Sequence, residues 1–495
     1  MNPPRIRSPW RAGAVLAVAG LLLVLRSGAA VRLPRVFTDH LVLQRDAPLA
    51  VWGQADPGEA VVVAFGGAER RTQADAAGRW EVTLDPLGAS ATARELTVTG
   101  TNRLVLRDVL VGDIWLCSGQ SNMEYAFGIA KPWAPPAAAG DPELAAERRG
   151  GPVPALRLFR VEKQRRPPEV VSDGWQEASG AARDAFSAVG YCFGRALHRE
   201  LGVPVGLIQS AWGGSRLEEW APPEAYAALA AVLTGADAAR FERDPAWVGR
   251  NYDAMVRPLA PFRLRGVIWY QGESNVIAYH DGLRYADKLA MLIGAWRAAW
   301  REPELPFYFV QVAPFRYSTR RDPLSHTPEE LPRLWAGQVA ALRVPGTGMV
   351  PVSDLVDDLN DIHPGHKRIV GERLAALALA RTYGQTGRAW SGPLFAGCTF
   401  RGAEAIVAFD HADGLAVRGG AEPAEFELAA ADGPFVPARA VIRGDTVVVA
   451  SPQVPHPARV RLGWSETAQP NLVNAAGLPA GSFQSDLPPW SGVGR

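Results

Sequence analysis

The chain has 495 residues, 47% of them hydrophobic and 21% charged, with 16 Trp. That length exceeds one ordinary core and points to two or three domains, and the composition excludes a disordered chain. A formal net charge of +1 leaves no basic footprint for nucleic acid or for an anionic membrane surface.

The first thirty residues read as a secretory signal peptide. Arg5, Arg7 and Arg11 form a basic start, Ala12 to Leu25 is an unbroken run of apolar residues and glycine, and Ser27-Gly28-Ala29-Ala30 offers small residues for cleavage. The run is shorter than the roughly twenty residues that span a bilayer. Arg26, between the run and the cleavage site, leaves an uncleaved anchor open as the alternative. Cleavage removes four arginines and no acid, which takes the net charge to about −3. An exported, periplasmic or extracellular protein is expected. Cys117, Cys192 and Cys398 are odd in number and lack metal-ligand spacing, so no disulfide framework or metal site is expected, and Cys117 and Cys192, in apolar contexts, are expected to be buried free thiols.

Residues 31–107 form short strands broken by turns. Leu49 to Trp52, Ala60 to Phe65, Trp80 to Leu84 and Glu95 to Thr99 are the strand candidates, punctuated by Asp56-Pro57-Gly58 and Ala77-Gly78. A small β-sandwich-like module is expected from that rhythm. From Asp108 to about residue 390, apolar runs alternate with helical stretches. The runs are Ile114 to Cys117, Gly206 to Ser210, Val267 to Tyr270, Phe307 to Val312 and Met349 to Ser353. The helices are expected at Ser187 to Leu201, Tyr285 to Trp300 and Lys367 to Tyr383. Such alternation predicts an α/β domain, a parallel sheet covered by helices on both faces. Residues 128–155, rich in Ala, Pro and Gly, read as a surface insertion. Strands return over 391–495 (Ala405 to Phe409, Phe426 to Leu428, Thr446 to Ala450, Arg459 to Leu462), and a second β module is expected there.

Four polar turns come directly after four of the predicted strands. Ser118-Gly119-Gln120-Ser121-Asn122-Met123 places a serine just past a strand, at a glycine turn before a helix. Its own N–H and the helix dipole would face a developing oxyanion. Met123 stands where a G-x-S-x-G elbow has its second glycine, so this is a different turn. Trp212-Gly213-Gly214-Ser215 offers paired glycines that let backbone approach a ligand. In Gln271-Gly272-Glu273-Ser274-Asn275 the Gln271 amide can donate to an oxyanion, while Glu273 can orient a histidine or bind substrate. Asp361-Ile362-His363-Pro364-Gly365-His366 brings an acid and a histidine together before an apolar helix. Taken alone, each turn fits a helix cap. Together they converge on the carboxyl edge of one sheet and supply nucleophile, base, acid and oxyanion donors, the parts of an acyl-transfer site.

These blocks resemble the sialate O-acetylesterase family of SGNH hydrolases over nearly the whole chain. Val36-Phe37 through Gly58, with Leu41 to Arg45, is similar to that family's opening β segment, and Asn471-Leu472 with Ala475 to Pro479 to its tail. The resemblance implies a three-layer α/β/α domain of flavodoxin-like type, flanked by the two β modules, with no cofactor and an O-acetylated glycan or sugar as substrate. It makes Ser121 the nucleophile and His363 the general base. The oxyanion hole would be the N–H of Ser121, an N–H of Gly213 or Gly214, and the Gln271 amide. Asn122, Trp212 and Asn275 become candidate substrate contacts, and Trp212 with Tyr270 a wall for a short acyl group. The triad acid departs from the common SGNH pattern, because Asn360 stands three residues before the histidine. Asp361 is the first candidate and Glu273 the second. Sialic acid esters, acetylxylan or other polysaccharide esters, and an inert glycan-binding role are the three readings the sequence leaves open.

Overall fold

The computed structural model describes residues 30–166, 168–232, 247–321 and 324–487. The expected signal peptide therefore lies outside the described residues, save Ala30. A single strand of 17 residues, Arg103–Gly119, ties the amino-terminal strands to the central parallel sheet. Its first part pairs antiparallel with Ser90–Thr99 and then runs parallel to Val42–Gln44. Its last part lies between two parallel neighbours, Val205–Ala211 and Gly266–Tyr270. Every residue from Val109 to Gly119 is buried, the mark of a strand covered on both faces. The domain boundary expected between residues 107 and 108 falls inside this strand. There Asp108 takes a positive φ of 56° and its carboxylate holds His40 and Arg157.

The central sheet runs Thr347–Val350, Phe307–Val310, Gly266–Tyr270, Arg103–Gly119, Val205–Ala211, Val153–Arg160, Trp175–Ala178. All neighbours are parallel except the last pair. Alternate residues feed two cores. Leu116, Trp269 and Phe309 face helices Arg284–Trp300 and Glu330–Ala341, whereas Cys117, Ile268 and Tyr308 face Ala188–Leu201 and Lys367–Arg381. The expected helices are present. Ser187 caps Ala188–Leu201 by accepting the Gly190 N–H at 3.0 Å, and Gly202 closes it in the left-handed region.

Two strands of this sheet escaped the sequence pattern. Residues 128–155 contain the short helices Ala137–Gly140 and Pro142–Arg149, and the chain then enters Val153–Arg160. Arg157 breaks the apolar run there, yet it is buried, because Asp108 and Glu177 take its guanidinium at 2.8 and 3.3 Å. Trp175–Ala178 is too short to register. On the amino-terminal side, Leu49–Gln54 pairs with Arg79–Leu84 and Ala60–Phe65 with Ala68–Gln73. The carboxyl-terminal part contains two four-stranded sheets. Cys117, Cys192 and Cys398 are free thiols, the first two buried.

The amino-terminal strands are bound to the central sheet through Asp113, which is fully buried. Its carboxylate accepts from Gln44 Nε2 at 3.0 Å, Arg45 Nε at 3.1 Å and Arg265 Nε at 3.0 Å. Burial alone would raise the Asp113 carboxyl, but the hydrogen bond from Arg45 and the charge of Arg265 outweigh it and hold the group below its ordinary value. A depressed carboxyl stabilises the fold above the unfolded value near 3.9, and that contribution disappears as pH falls through the folded value. Asp113→Ala leaves Arg45 and Arg265 without their buried partner, which should cost about 3–5 kcal/mol. Denaturant unfolding at pH 7 checks the loss, and the gap between wild type and variant should narrow below about pH 4.

Candidate active site

Ser121 lies at the start of the short helix Ser121–Glu124, directly beyond the central strand. The strands on either side continue into the Trp212 and Gln271 turns, so both turns meet at Ser121. Two backbone bonds clamp the junction: Gln120 N–H donates to the Tyr270 carbonyl at 2.9 Å, and Trp212 N–H to the Gly119 carbonyl at 3.0 Å. From the other side of the cleft, His363 Nε2 comes within 2.9 Å of Ser121 Oγ. Ser121 and His363, 242 residues apart in sequence, are in hydrogen-bond contact, as an activated serine and its base require.

The environment of His363 differs from that of a triad histidine. Its Nδ1 lies 3.9 Å from Asp361 Oδ1, beyond hydrogen-bond reach. Asp361 is half exposed, and the same oxygen accepts the backbone N–H of His363 at 2.8 Å. Trp133, from the segment read as an insertion, covers the imidazole with ring centroids 4.3 Å apart. Burial, followed by the charge of Lys367, lowers the His363 pKa to about 4, against a smaller opposing pull from Asp361. The imidazole is therefore neutral at pH 7 and able to accept a proton.

Glu273 does not reach His363. It is buried, and one carboxylate oxygen accepts from Asn122 Nδ2 while the other has no partner. Asn122 also donates to the Ile362 carbonyl at 3.1 Å and accepts from Lys367 Nζ at 2.6 Å. Burial raises the Glu273 pKa and lowers that of Lys367 to about 7. Asn122 is fully buried, so it anchors the backbone beside His363 and leaves substrate contact to other groups. Asn275 is an anchor as well: its Oδ1 accepts from Gln271 and from the Leu217 N–H, and its Nδ2 serves Glu218 and Asp281. Tyr270 packs inside the core and Trp212 is half-buried, so of the sequence-derived substrate contacts Trp212 alone lies at the cleft surface.

The groups expected to donate to an oxyanion divide in the same way. The Ser121 N–H, first in its helix, and the Gly214 N–H form no hydrogen bond among the described residues. The two amide hydrogens of Gln271 face three acceptors, Gln120 Oε1 at 3.1 Å, the Ser215 carbonyl at 3.3 Å and Asn275 Oδ1 at 2.6 Å. Gln271 is thereby engaged within the protein. The Gly213 N–H donates to Glu124 Oε2 at 2.6 Å. Glu124 carries no motif that would single it out in the sequence. It is buried beside Ser121 and paired with Lys163 at 2.7 Å and Lys131 at 3.5 Å. A Cβ built on Gly213 would lie 3.3 Å from Ser121 Cβ, which measures how closely the turn approaches that serine. Among the described residues no cluster of three His, Cys, Asp or Glu side chains assembles a metal site.

Glu124 thus holds the Gly213 peptide and leaves the next N–H, that of Gly214, available. Glu124→Ala should release the turn and lower kcat by about tenfold or more while KM changes little. Glu124→Gln, which still accepts from Gly213, should keep most of the activity. Steady-state kinetics on a small acetyl ester measure both.

The chain matches the model of a family described as carbohydrate esterase, sialic acid-specific acetylesterase, over residues 111–380. Human sialate O-acetylesterase is 30% identical over 421 residues, covering 76% of this chain and 77% of that protein. The rat sialate O-acetylesterase is 29% identical over 442 residues, covering 76% and 78%. The crystal structure of a carbohydrate acetylesterase from Xanthomonas citri aligns with a TM-score of 0.80 at 36% identity, covering 92% of this chain and 99% of that one. A serine and histidine in contact at the carboxyl edge of a parallel sheet agree with these relatives in indicating a carboxylic ester hydrolase. The chain belongs to the sialic acid-specific acetylesterase family of carbohydrate esterases.

Proposed function

We propose that this protein is an exported SGNH-type esterase, flanked by β modules, that removes acetyl groups from carbohydrate through an acyl-enzyme on Ser121. The contact of 2.9 Å between His363 Nε2 and Ser121 Oγ carries the reading. In the first step His363 takes the Ser121 proton as Oγ attacks the acetyl carbonyl. The N–H groups of Ser121 and Gly214 receive the oxyanion. His363 then gives its proton to the departing sugar oxygen, leaving acetyl on Ser121. Water, activated by the same imidazole, releases acetate and restores the serine.

The named relatives act on sialate esters or, in the Xanthomonas citri case, on carbohydrate acetyl esters; either class fits this site. An inert glycan-binding role is disfavoured by the assembled serine–histidine pair. Acetate release from a panel of O-acetylated sialic acids and polysaccharides tests the proposal directly. Ser121→Ala should retain the fold by circular dichroism and lose several orders of magnitude in kcat. Retention of more than about a tenth of the activity would remove Ser121 from the mechanism.

The base has its own signature. A neutral imidazole is required, so a lowered His363 value moves the acid limb of kcat/KM toward pH 4 instead of 6.5. Asp361 acts at 3.9 Å and half exposed, so Asp361→Asn should lower kcat by roughly tenfold or less, far short of the ~10⁴ of a buried triad aspartate. A loss above about 10³ would show that the pair closes to hydrogen-bond distance when substrate binds.

A further inference from the structure

Asn122, the residue after Ser121, is gripped by opposite charges. Its Nδ2 donates to Glu273 Oε1, and its Oδ1 accepts from Lys367 Nζ at 2.6 Å. All three side chains are buried. An ammonium can only donate and a carboxylate only accept, so the two charges dictate which way the amide points. With that orientation fixed, Nδ2 also reaches the Ile362 carbonyl at 3.1 Å. One amide therefore bonds the chain on both sides of His363: at Ile362 before it, and at Lys367 after it, where helix Lys367–Arg381 begins.

Packing does not account for these charges. A space that needs only filling is better filled by apolar side chains, because each buried charge forfeits its hydration. Burial opposes the charge of Lys367, which Glu273 and Asp361 support from a distance. Beyond Asn122, its ammonium lies 4.7 Å from the centre of the Tyr125 ring and 5.6 Å from that of Tyr270. Burial likewise opposes the charge of Glu273, against its own N–H, Asn122, Lys367 and the Gly272 N–H. His363 in turn faces Asp361 on its own loop, Lys367 on the helix that follows, Ser121 across the cleft and the uncharged Trp133. Lys367 supplies the positive charge in this set.

We propose that Lys367, bridged to Glu273 through Asn122, is a positioning residue for His363: the two buried charges fix the histidine's loop on the Ser121 helix, in place of the buried carboxylate of a triad. The proposal rests on Ser121 and His363 acting as nucleophile and base, and adds to that reading what holds them in register. The device has a chemical consequence. A nearby cation disfavours the imidazolium, so His363 is a weaker base that stays unprotonated further into acid.

Lys367→Met, Lys367→Arg and Lys367→Met/Glu273→Gln, assayed on a small acetyl ester with pH profiles of kcat/KM, test the role. Lys367→Met should lower kcat roughly tenfold or more with little change in KM, because the loop is no longer held. Its acid limb should move upward from the wild-type position near pH 4 toward 6.5, since the cation is gone while burial remains. Lys367→Arg retains the charge and should leave the limb in place. The double variant buries neither charge, and a glutamine still accepts from Asn122, so it folds even where Lys367→Met alone is unstable. It should reproduce both the lowered kcat and the raised limb. A double variant with wild-type kcat overturns the proposal, and so does a lowered kcat with an unmoved limb, which marks packing alone. His363→Ala with more than about a tenth of wild-type activity would instead remove His363 as the base, and with it the reading on which this inference rests.

Discussion

Gly119 occupies a position that no side chain can share. A Cβ there would lie 2.2 Å from the Tyr270 carbonyl oxygen, and the backbone has a φ of 137°. This close approach lets the central strand end tightly against its neighbour, so that Gln120 can donate to the same carbonyl and Trp212 to that of Gly119. The Ser121 helix and both flanking turns are consequently referred to one peptide. Any residue with a side chain at this position would push apart the Ser121 and Gln271 segments, and with them the geometry of the oxyanion donors.

Beneath that junction lies a polar interior. Lys288 is buried between Glu218 and Asp281, and Asn275 donates to both acids while accepting from Gln271. Gln271 passes the chain of bonds on to Gln120, next to the nucleophile. A buried charge persists only when it is paired and its remaining donors are satisfied, and removing one member leaves the others uncompensated. The network therefore resists partial rearrangement, which suits a site whose donors must already be in place when the oxyanion forms. In consequence, motif residues with catalytic chemistry, Gln271 and Asn275 among them, serve as support.

That explains what could and could not be read from the residues in order. The alternation of apolar runs and helices located the central strands, and the turns after them marked the carboxyl edge where Ser121 and His363 meet. Spacing does not disclose which way an amide points once buried, so Asn122 and Asn275 resembled substrate contacts although both face inward. Glu124 was invisible for a related reason. It sits in the nucleophile's own helix, and only the fold brings the Gly213 N–H and Lys163 to its carboxylate. Arg157 concealed a whole strand, since a charged residue in an apolar run signals a surface until its partners Asp108 and Glu177 are known.

The adjacency of Ser121 and Asn122 has a mechanical meaning that neither residue has alone. One presents the attacking oxygen to His363 Nε2, and the other bonds the carbonyl of Ile362, the residue immediately before that histidine. Lys367, four residues past the histidine, holds Asn122 from the opposite side. Ser121 and His363 are thus positioned relative to each other by successive residues of one short helix, and a shift of that helix carries both together. Their separation is preserved even though the neighbouring carboxylate, Asp361, stands 3.9 Å from the imidazole and half in solvent. In a triad, a buried carboxylate fixes the imidazole from behind. Here the imidazole is confined by the Trp133 ring on its face and by backbone pinned through Asn122, so its orientation comes from packing and hydrogen-bonded scaffold.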